Sequence, residues 1–437
     1  MATEDFRAQA REMLARITIE APGTPDREAL LDNYADDLTR LHAQHTHALL
    51  HEVIERLDAG TNVDAGGVRR NPTSAYVDPD LAAREREVFF RHHPQMIGLS
   101  GDLPEPGSFF TVDELHVPIV ATRDTDGTFV ALVNACRHRG AKVVSDERGA
   151  TRRFSCPFHA WTYDNGGALV GLPKADHFGD IDVACHGLLR LPAVERDGLL
   201  WVHPDPDGVI DVDALLTPEL ADEIAHWRFD ELEHLDRDHY DVACNWKLAM
   251  DTFGETYHFG ALHKNTLFNG FHGNVQCYDT FGRNHRMILV RRAIDEMRHR
   301  PEAEWRISEA TLPAYWLFPN VQLLPSQDGA FLIRAYPHPT DPGRHTSKIT
   351  FYRRPDTDGP EQARQVDMQR TLAQLFASII RDEDYAMSES QQITANSGAL
   401  TEVVFGRNEP ALHHYHNTYR AALGLEPLPL LDARELV

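Results

Sequence analysis

The stretch from Asn245 to His263, NWKLAMDTFGETYHFGALH, concentrates residues able to do metal chemistry. It carries His258 and His263, with Asp251 and Glu255 upstream. On a helix Glu255 and His258 are i,i+3 neighbours, and Asp251 lies two turns before His258, so these three share a face. His263 does not. Five residues at about 100° each turn it roughly 140° away from His258. Binding of one ion by both imidazoles therefore needs the helix to distort or to finish near Gly260, and a local π-bulge is one way to do so. Two neutral imidazoles plus a carboxylate from elsewhere form the facial triad that holds Fe(II) with positions open for O2 and substrate. A structural histidine pair or a zinc site draws on the same residue types, and this stretch alone leaves the three readings open.

A second constellation lies about a hundred residues earlier. Cys136-Arg-His138 and Cys156-Pro-Phe-His159 are separated by seventeen residues. Each pair offers one thiolate and one imidazole. A Rieske [2Fe–2S] cluster needs two thiolates on one iron and two imidazoles on the other, and the imidazoles raise its reduction potential. A Cys2His2 zinc site uses the same donors but usually groups cysteines together and histidines together. One of each per loop suits the two-iron cluster better. Gly140, Pro157, Gly166 and Gly167 supply the tight turns that two loops around one cluster require.

With both constellations in place, the chain resembles the α subunit of Rieske non-haem iron oxygenases, the aromatic ring-hydroxylating family. CRHRG at 136–140, CPFHAWTY at 156–163 and ETYHFGALH at 255–263 match its motifs, and PEPGSF at 104–109 is similar to its domain start. The resemblance runs in order from about residue 85 to 395. It implies a Rieske cluster on Cys136, His138, Cys156 and His159, and a mononuclear Fe(II) on His258, His263 and a distant carboxylate. RDEDYAMSESQ at 381–391 resembles the family's ED-x4-E-x-Q segment and places that ligand at Asp384. An exposed acidic helix end is the bland alternative, with Asp382 the nearest competitor. Glu255 stands where the family has the acid that bridges the cluster of one subunit to the iron of the next. Many ring-hydroxylating members have aspartate there, and similarly placed glutamates occur in members acting on quaternary ammonium compounds. An ordinary intrahelical Glu–His contact is the alternative. Asp251 is the second candidate catalytic acid, and Asp251-Thr252 replaces the family's usual Glu-Asn or Asp-Asn.

The implied activity is that of a terminal oxygenase component inserting one or both atoms of O2 into an organic, aromatic substrate. A monooxygenase demethylating a quaternary ammonium or N-/O-methyl compound is the alternative. A non-catalytic Rieske electron carrier and a zinc-binding structural protein are further readings. No Gly-rich nucleotide fingerprint stands in a strand–helix context, so NAD(P)H must be used by a partner, a ferredoxin and/or a flavin reductase. Six basic residues between 137 and 153 (Arg137, Arg139, Lys142, Arg148, Arg152, Arg153) could steer an acidic donor. The resemblance further implies a homotrimer, with or without a β subunit.

The elements that must position these groups are legible in outline. Residues 1–79 read as a helical segment and linker, with a start signal at Thr24-Pro25 and apolar residues recurring from Leu30 to Leu57. Residues 80–205 read as a compact all-β Rieske domain. Val117–Thr122 and Thr128–Val133 flank Asp126-Gly127, a hairpin signal, and Leu199–Val202 is a further strand. Residues 206–437 read as a catalytic domain. It contains a helix at Leu215–Trp227 and strands at Arg286–Arg291, Ala314–Leu324, Ala330–Tyr336 and Ser347–Tyr352. An amphipathic helix at Glu361–Ile380 and a last helix at 409–423 follow. A sheet with helices packed on it is an α+β arrangement, and the resemblance gives it a helix-grip fold. Met250, Phe253, Phe259, Leu262, Leu267, Leu317, Phe318 and Val321 are candidate pocket residues, for which core packing is an equal explanation.

Composition sets outer bounds. The 437 residues suffice for two or three cooperating units. With 43 basic against 67 acidic residues, the net charge of −24 argues against nucleic acid or an anionic membrane as main partner. The opening residues carry no apolar signal core, no window approaches a membrane span, and five scattered cysteines do not form a disulfide framework. A cytoplasmic protein is the expectation.

Overall fold

The computed structural model describes residues 47–115, 117–355 and 360–431. The helix start at Thr24-Pro25 and the apolar run from Leu30 to Leu41 lie outside the described residues. Residues 47–59 are helical and end at Gly60, whose positive φ of 60° suits the missing side chain. Among the described residues, no helix is long and apolar enough to cross a membrane. The described residues group into two compact units: one holds 47–64 with 256–279 and 287–313, the other holds those of 65–255, 280–286 and 314–431. In the first, Leu49, Leu50 and Val53 of the opening helix share a core with Val275, Ile288, Val290, Ile294, Met297 and Trp305.

The second unit contains the small β-rich region. One sheet has the strand order Arg190–Leu191, Phe129–Val133, Ile119–Arg123, Ser108–Val112, Arg148–Ala150. A three-stranded sheet of Arg153–Ser155, Thr162–Asp164 and Leu169–Gly171 stands beside it in sequence. The anticipated hairpin at Asp126-Gly127 forms because Asp124 Oδ1 accepts from the backbone N–H of Asp126 and Thr128, while Gly127 takes φ +81°. Phe109, Val120, Leu132, Phe154, Trp161 and Tyr163 pack together with Cys136 and Cys156 in one core.

The larger sheet has seven strands: Glu233–Val242, His345–Arg353, Gly329–Pro337, Val321–Pro325, Thr311–Leu317, Asn284–Arg291 and Phe271–Phe281. Helix Trp246–Thr252 packs on Gly329–Pro337, and helix Pro360–Ile379 packs on the first two strands, so helices cover the sheet as an α+β fold requires. Several expectations need correction. Ala314–Leu324 is two strands, because Pro319-Asn320 turns the chain and Asn320 Nδ2 ties the turn to Ala335 O. Leu215–Trp227 is two helices, Val212–Leu216 and Pro218–His226, broken where Thr217 takes φ +65° ahead of a proline. Strand Glu233–Val242 carried no recognisable pattern: as an edge strand it buries only Leu235 and Val242.

The apolar stripe read along Glu361–Ile380 (Val366, Met368, Leu372, Leu375, Phe376 and Ile379) is only in part the buried face. Met368, Leu372 and Leu375 are exposed, while Ala373, Ala377 and Ile379 are buried. Phe376 reaches the sheet, its ring 4.7 Å from that of Phe331. Leu317 and Val321 belong to a core with Met96, Leu199, Trp201 and Leu220 rather than to a pocket. Phe318 is wedged among Phe89, His93, Trp316 and Tyr419.

Two buried features set stability. Lys247 Nζ lies 2.7 and 2.6 Å from the Glu85 carboxylate oxygens, with both side chains at most 3% exposed. Removing one partner strands the other charge. Glu85→Ala is expected to lower unfolding free energy by about 3–5 kcal/mol, with most of it recovered in the double variant Glu85→Ala, Lys247→Met, measured by denaturant titration. His345 is buried with its Nδ1 donating to Cys244 O, and burial holds its pKa down to about 4; burial does the same to His93. In the unfolded chain both titrate near pH 6.5. The folded value is the lower one, so the unfolded chain binds more protons between the two and stability is lost as pH falls through that window. Melting temperature is expected to drop steadily between about pH 6.5 and 4, and His345→Asn to flatten that slope.

Candidate metal centres and the family

The cluster loops repeat one design. Cys136 N donates to Ala141 O and Gly140 N to Cys136 O, both at 2.8 Å. Cys156 N donates to Trp161 O at 2.8 Å and Ala160 N to Cys156 O at 2.9 Å. In each loop the residue four after the cysteine has positive φ: 76° at Gly140 and 56° at Ala160. Both thiols are buried, at 4% and 3% exposure. The imidazoles sit at the rim, His138 half-buried and His159 exposed, with ring centroids 4.7 Å apart. His138 stacks on Trp161 at an interplanar angle of 8°, which fixes its orientation. Partial burial, His159 and Arg139 together lower the His138 pKa and favour the neutral imidazole a metal needs.

Residues not singled out in the sequence complete this region. Asn134 is fully buried; its Oδ1 accepts from Val143 N and Val144 N while Nδ2 donates to Val144 O, which pins the first loop. Tyr163 presents its hydroxyl to Cys136 Sγ at 3.3 Å and accepts from Arg137 N. Of the basic collar, Lys142 pairs with Asp113 and Arg148 with Asp102. Arg137, Arg139, Arg152 and Arg153 are exposed, with Arg139 over the Phe158 ring.

For both imidazoles to share one ion, the sequence requires a helix that distorts or finishes near Gly260; the helix in fact ends earlier, at Thr252. Asn245 caps helix Trp246–Thr252 by accepting from Lys247 N, and its own N–H donates to Gln392 Oε1. The helix stops there. The chain turns through Phe253 and Gly254 and resumes as a 3-10 turn at Tyr257–Gly260. No π-bulge forms between His258 and His263; the break itself brings the imidazoles together. Their Nε2 atoms stand 3.1 Å apart, and His263 is 1% exposed. Two ligands bound at about 2.1 Å and a right angle would stand about 3 Å apart, so the pair fits a metal ion. A π segment occurs instead at Ile380–Tyr385, between two α-helical stretches. Within it Asp384 is 4% exposed, whereas Asp382 lies at the surface paired to Arg381. The ligand atoms of His258, His263 and Asp384 all lie within 4.8 Å of one another.

The other acids differ. Glu255 is half-buried just after Gly254. Asp251 accepts from Tyr76 and His416. Thr252 bonds back to Ala249 O within its own helix. Glu389 accepts from Ala243 N, tying the downstream helix to the strand end before Asn245.

Two buried thiols with two rim imidazoles, followed by two imidazoles and a carboxylate grouped together, are donor sets of the kind that a [2Fe–2S] cluster and a single metal ion need. The comparisons agree. Residues 93–188 match the Rieske [2Fe-2S] domain, and residues 229–425 match the ring hydroxylating alpha subunit catalytic domain. The chain thus carries a Rieske [2Fe-2S] domain followed by a ring hydroxylating α-subunit catalytic domain. It is 32% identical over 197 residues to the glycine betaine monooxygenase oxygenase subunit of Chromohalobacter salexigens, covering 45% of this chain and 43% of that protein. It is 31% identical over 231 residues to the anthranilate 1,2-dioxygenase large subunit of Burkholderia cepacia, covering 49% and 53%. The chain thus spans about half the length of these curated relatives. The carnitine monooxygenase oxygenase subunit of Acinetobacter baumannii is 22% identical over 324 residues, 74% of this chain and 84% of that one. Among solved structures, the quaternary ammonium Rieske monooxygenase CntA with L-carnitine superposes with a TM-score of 0.68 at 19% identity, covering 83% of this chain and 97% of that chain. Naphthalene 1,2-dioxygenase from Rhodococcus sp. gives 0.60 at 20%, covering 88% and 99%. At these identities the superpositions establish a common fold.

A hydroxyl facing a cluster sulfur stabilises the added electron. Tyr163→Phe is therefore expected to lower the cluster potential by tens of millivolts in protein-film voltammetry, with the visible spectrum little changed.

Proposed function

We propose that this chain is the terminal oxygenase component of a Rieske system. Cys136, His138, Cys156 and His159 hold the [2Fe–2S] cluster, and His258, His263 and Asp384 hold Fe(II). The observation that carries the reading is the meeting of three donor side chains within 4.8 Å, two of them buried. An electron carrier has no use for that group. When bound, the metals supply single-electron transfer and activation of O2 for insertion into C–H or C=C bonds.

The chain's own residues do the rest. Burial of His263 and Asp384 keeps water from competing for the donors, and the turn at Gly254 aims His258 toward His263. Glu255, three residues before His258, is assigned the bridge from a neighbouring subunit's cluster. Exposure of His159 at the protein surface suits transfer across such a contact. The assembly is then a homotrimer, with a β subunit optional. A ferredoxin and/or an NAD(P)H-dependent flavin reductase is the electron source. Arg137, Arg139, Arg152 and Arg153 offer an acidic donor a positive rim. Five unpaired cysteines suit a reducing, cytoplasmic setting.

The substrate is a small organic molecule, with aromatic compounds the leading class. The quaternary ammonium reading has its own support: the acid before the first iron histidine is glutamate, and glycine betaine and carnitine monooxygenases stand among the relatives. Oxygen uptake with a surrogate reductase separates the two. Ring hydroxylation of an aromatic acid or phenol favours the first, and formaldehyde release from an ammonium compound the second.

Metal analysis tests the core of the proposal. Wild-type protein is expected to hold about three irons per chain, and Asp384→Ala about two with full cluster absorption. Two irons in both proteins would leave only the electron carrier.

A further inference from the structure

Asp251, seven residues before His258, has buried partners for which the proposed chemistry has no use. Tyr76 donates its hydroxyl to Asp251 Oδ2 at 2.8 Å. His416 Nε2 stands 2.9 and 3.1 Å from the two carboxylate oxygens. Asn71 Nδ2 is 3.0 Å from the Tyr76 hydroxyl and 3.3 Å from His416 Nδ1. An amide nitrogen only donates, so His416 Nδ1 must accept and its proton must sit on Nε2, aimed at Asp251. Asn71, Tyr76 and His416 are 1–3% exposed, so water does not replace a missing bond here.

A second observation comes from the same helix, Pro410–Ala422. A Cβ placed on Gly254 would lie 2.5 Å from Leu412 Cδ1 and 2.8 Å from Tyr415 Cε2. The helix therefore closes over the turn that follows Thr252 with Leu412 and Tyr415. With His416 it grips the acid at the end of helix Trp246–Thr252. Gly254 is the residue immediately before Glu255.

We infer that His416 is a positioning residue for the iron centre. Acting through Asp251, it fixes where helix Trp246–Thr252 ends and in which direction the chain leaves toward Glu255 and His258. It touches neither metal nor substrate. The inference rests on the assignment of iron to His258, His263 and Asp384.

The test compares wild type with His416→Gln, whose amide N–H reaches close to the Nε2 position, and His416→Leu, which has no donor. Tyr76→Phe, which removes the other bond to Asp251 with little change of shape, covers a failure of His416→Leu to fold. Each protein is loaded with iron and challenged with a chelator, and the nitric oxide adduct of its mononuclear site is recorded by EPR. His416→Leu is expected to release mononuclear iron on the order of 10-fold more readily and to show an altered adduct spectrum, with cluster absorption per chain unchanged. His416→Gln is expected to stay near wild type, and Tyr76→Phe to move in the same direction as His416→Leu by less. Wild-type retention and spectrum in His416→Leu overturn the inference. So does a fall in melting temperature shared by His416→Gln and His416→Leu without change in either iron readout. If wild type itself takes up no third iron, the iron assignment fails, and this inference with it.

Discussion

Two imidazole nitrogens held 3.1 Å apart impose the constraint around which the second half of the chain is built. Neutral imidazoles brought together through their lone pairs repel unless a proton or cation stands between them. Burial of His263 denies water that role. The backbone must therefore be stiff on both sides of the pair. Upstream, the helix is capped at Asn245 and stopped before Gly254, where Leu412 and Tyr415 leave no room for a side chain. Downstream, a 3-10 turn closes over His258 before the chain reaches His263. A regular helix through this stretch would separate the two rings by roughly 140°. Ending the helix is what makes the pair possible.

The carboxylate is delivered by the opposite device. At Ile380–Tyr385 the helix is not ended but widened, and the π turn re-phases its side chains. Asp384 goes inward while Asp382 stays at the surface with Arg381. Tyr385 anchors the turn through Ser347 at 2.5 Å, and Ser388 bonds back to Asp384 O. One irregularity shortens a helix and the other dilates one. Both sit at the proposed iron ligands, in keeping with the rule that backbone irregularity gathers at functional sites.

The cluster region meets its demand differently, by repetition. Two loops use the same pair of backbone hydrogen bonds and the same left-handed residue four after the cysteine. Glycine takes that conformation freely at position 140, while Ala160 takes it against its side chain. The thiols sink into a core of aromatic and branched residues and the imidazoles remain at the rim. Such an arrangement shields the thiols and leaves the imidazoles at the surface.

The sequence alone determined which donor motifs the chain carries and their order along it. Two Cys–His loops, a pair of histidines and a late acidic helix end are local motifs, and residue type with spacing suffices to read them. The central strands of the sheet were legible for a related reason, since their buried runs are apolar. Edge strand Glu233–Val242 was not, because half of its surface faces away from the core. The buried face of Pro360–Ile379 was read only in part: Phe376 and Ile379 lie on it, but small alanines complete it while the larger Met368, Leu372 and Leu375 remain outside. Tertiary structure decided where helices break and which acid turns inward. It also brought Tyr76 and His416, some 340 residues apart in sequence, to one carboxylate. Contacts over such separations leave no periodicity in the chain, because each partner answers to its own helix and only packing brings them together.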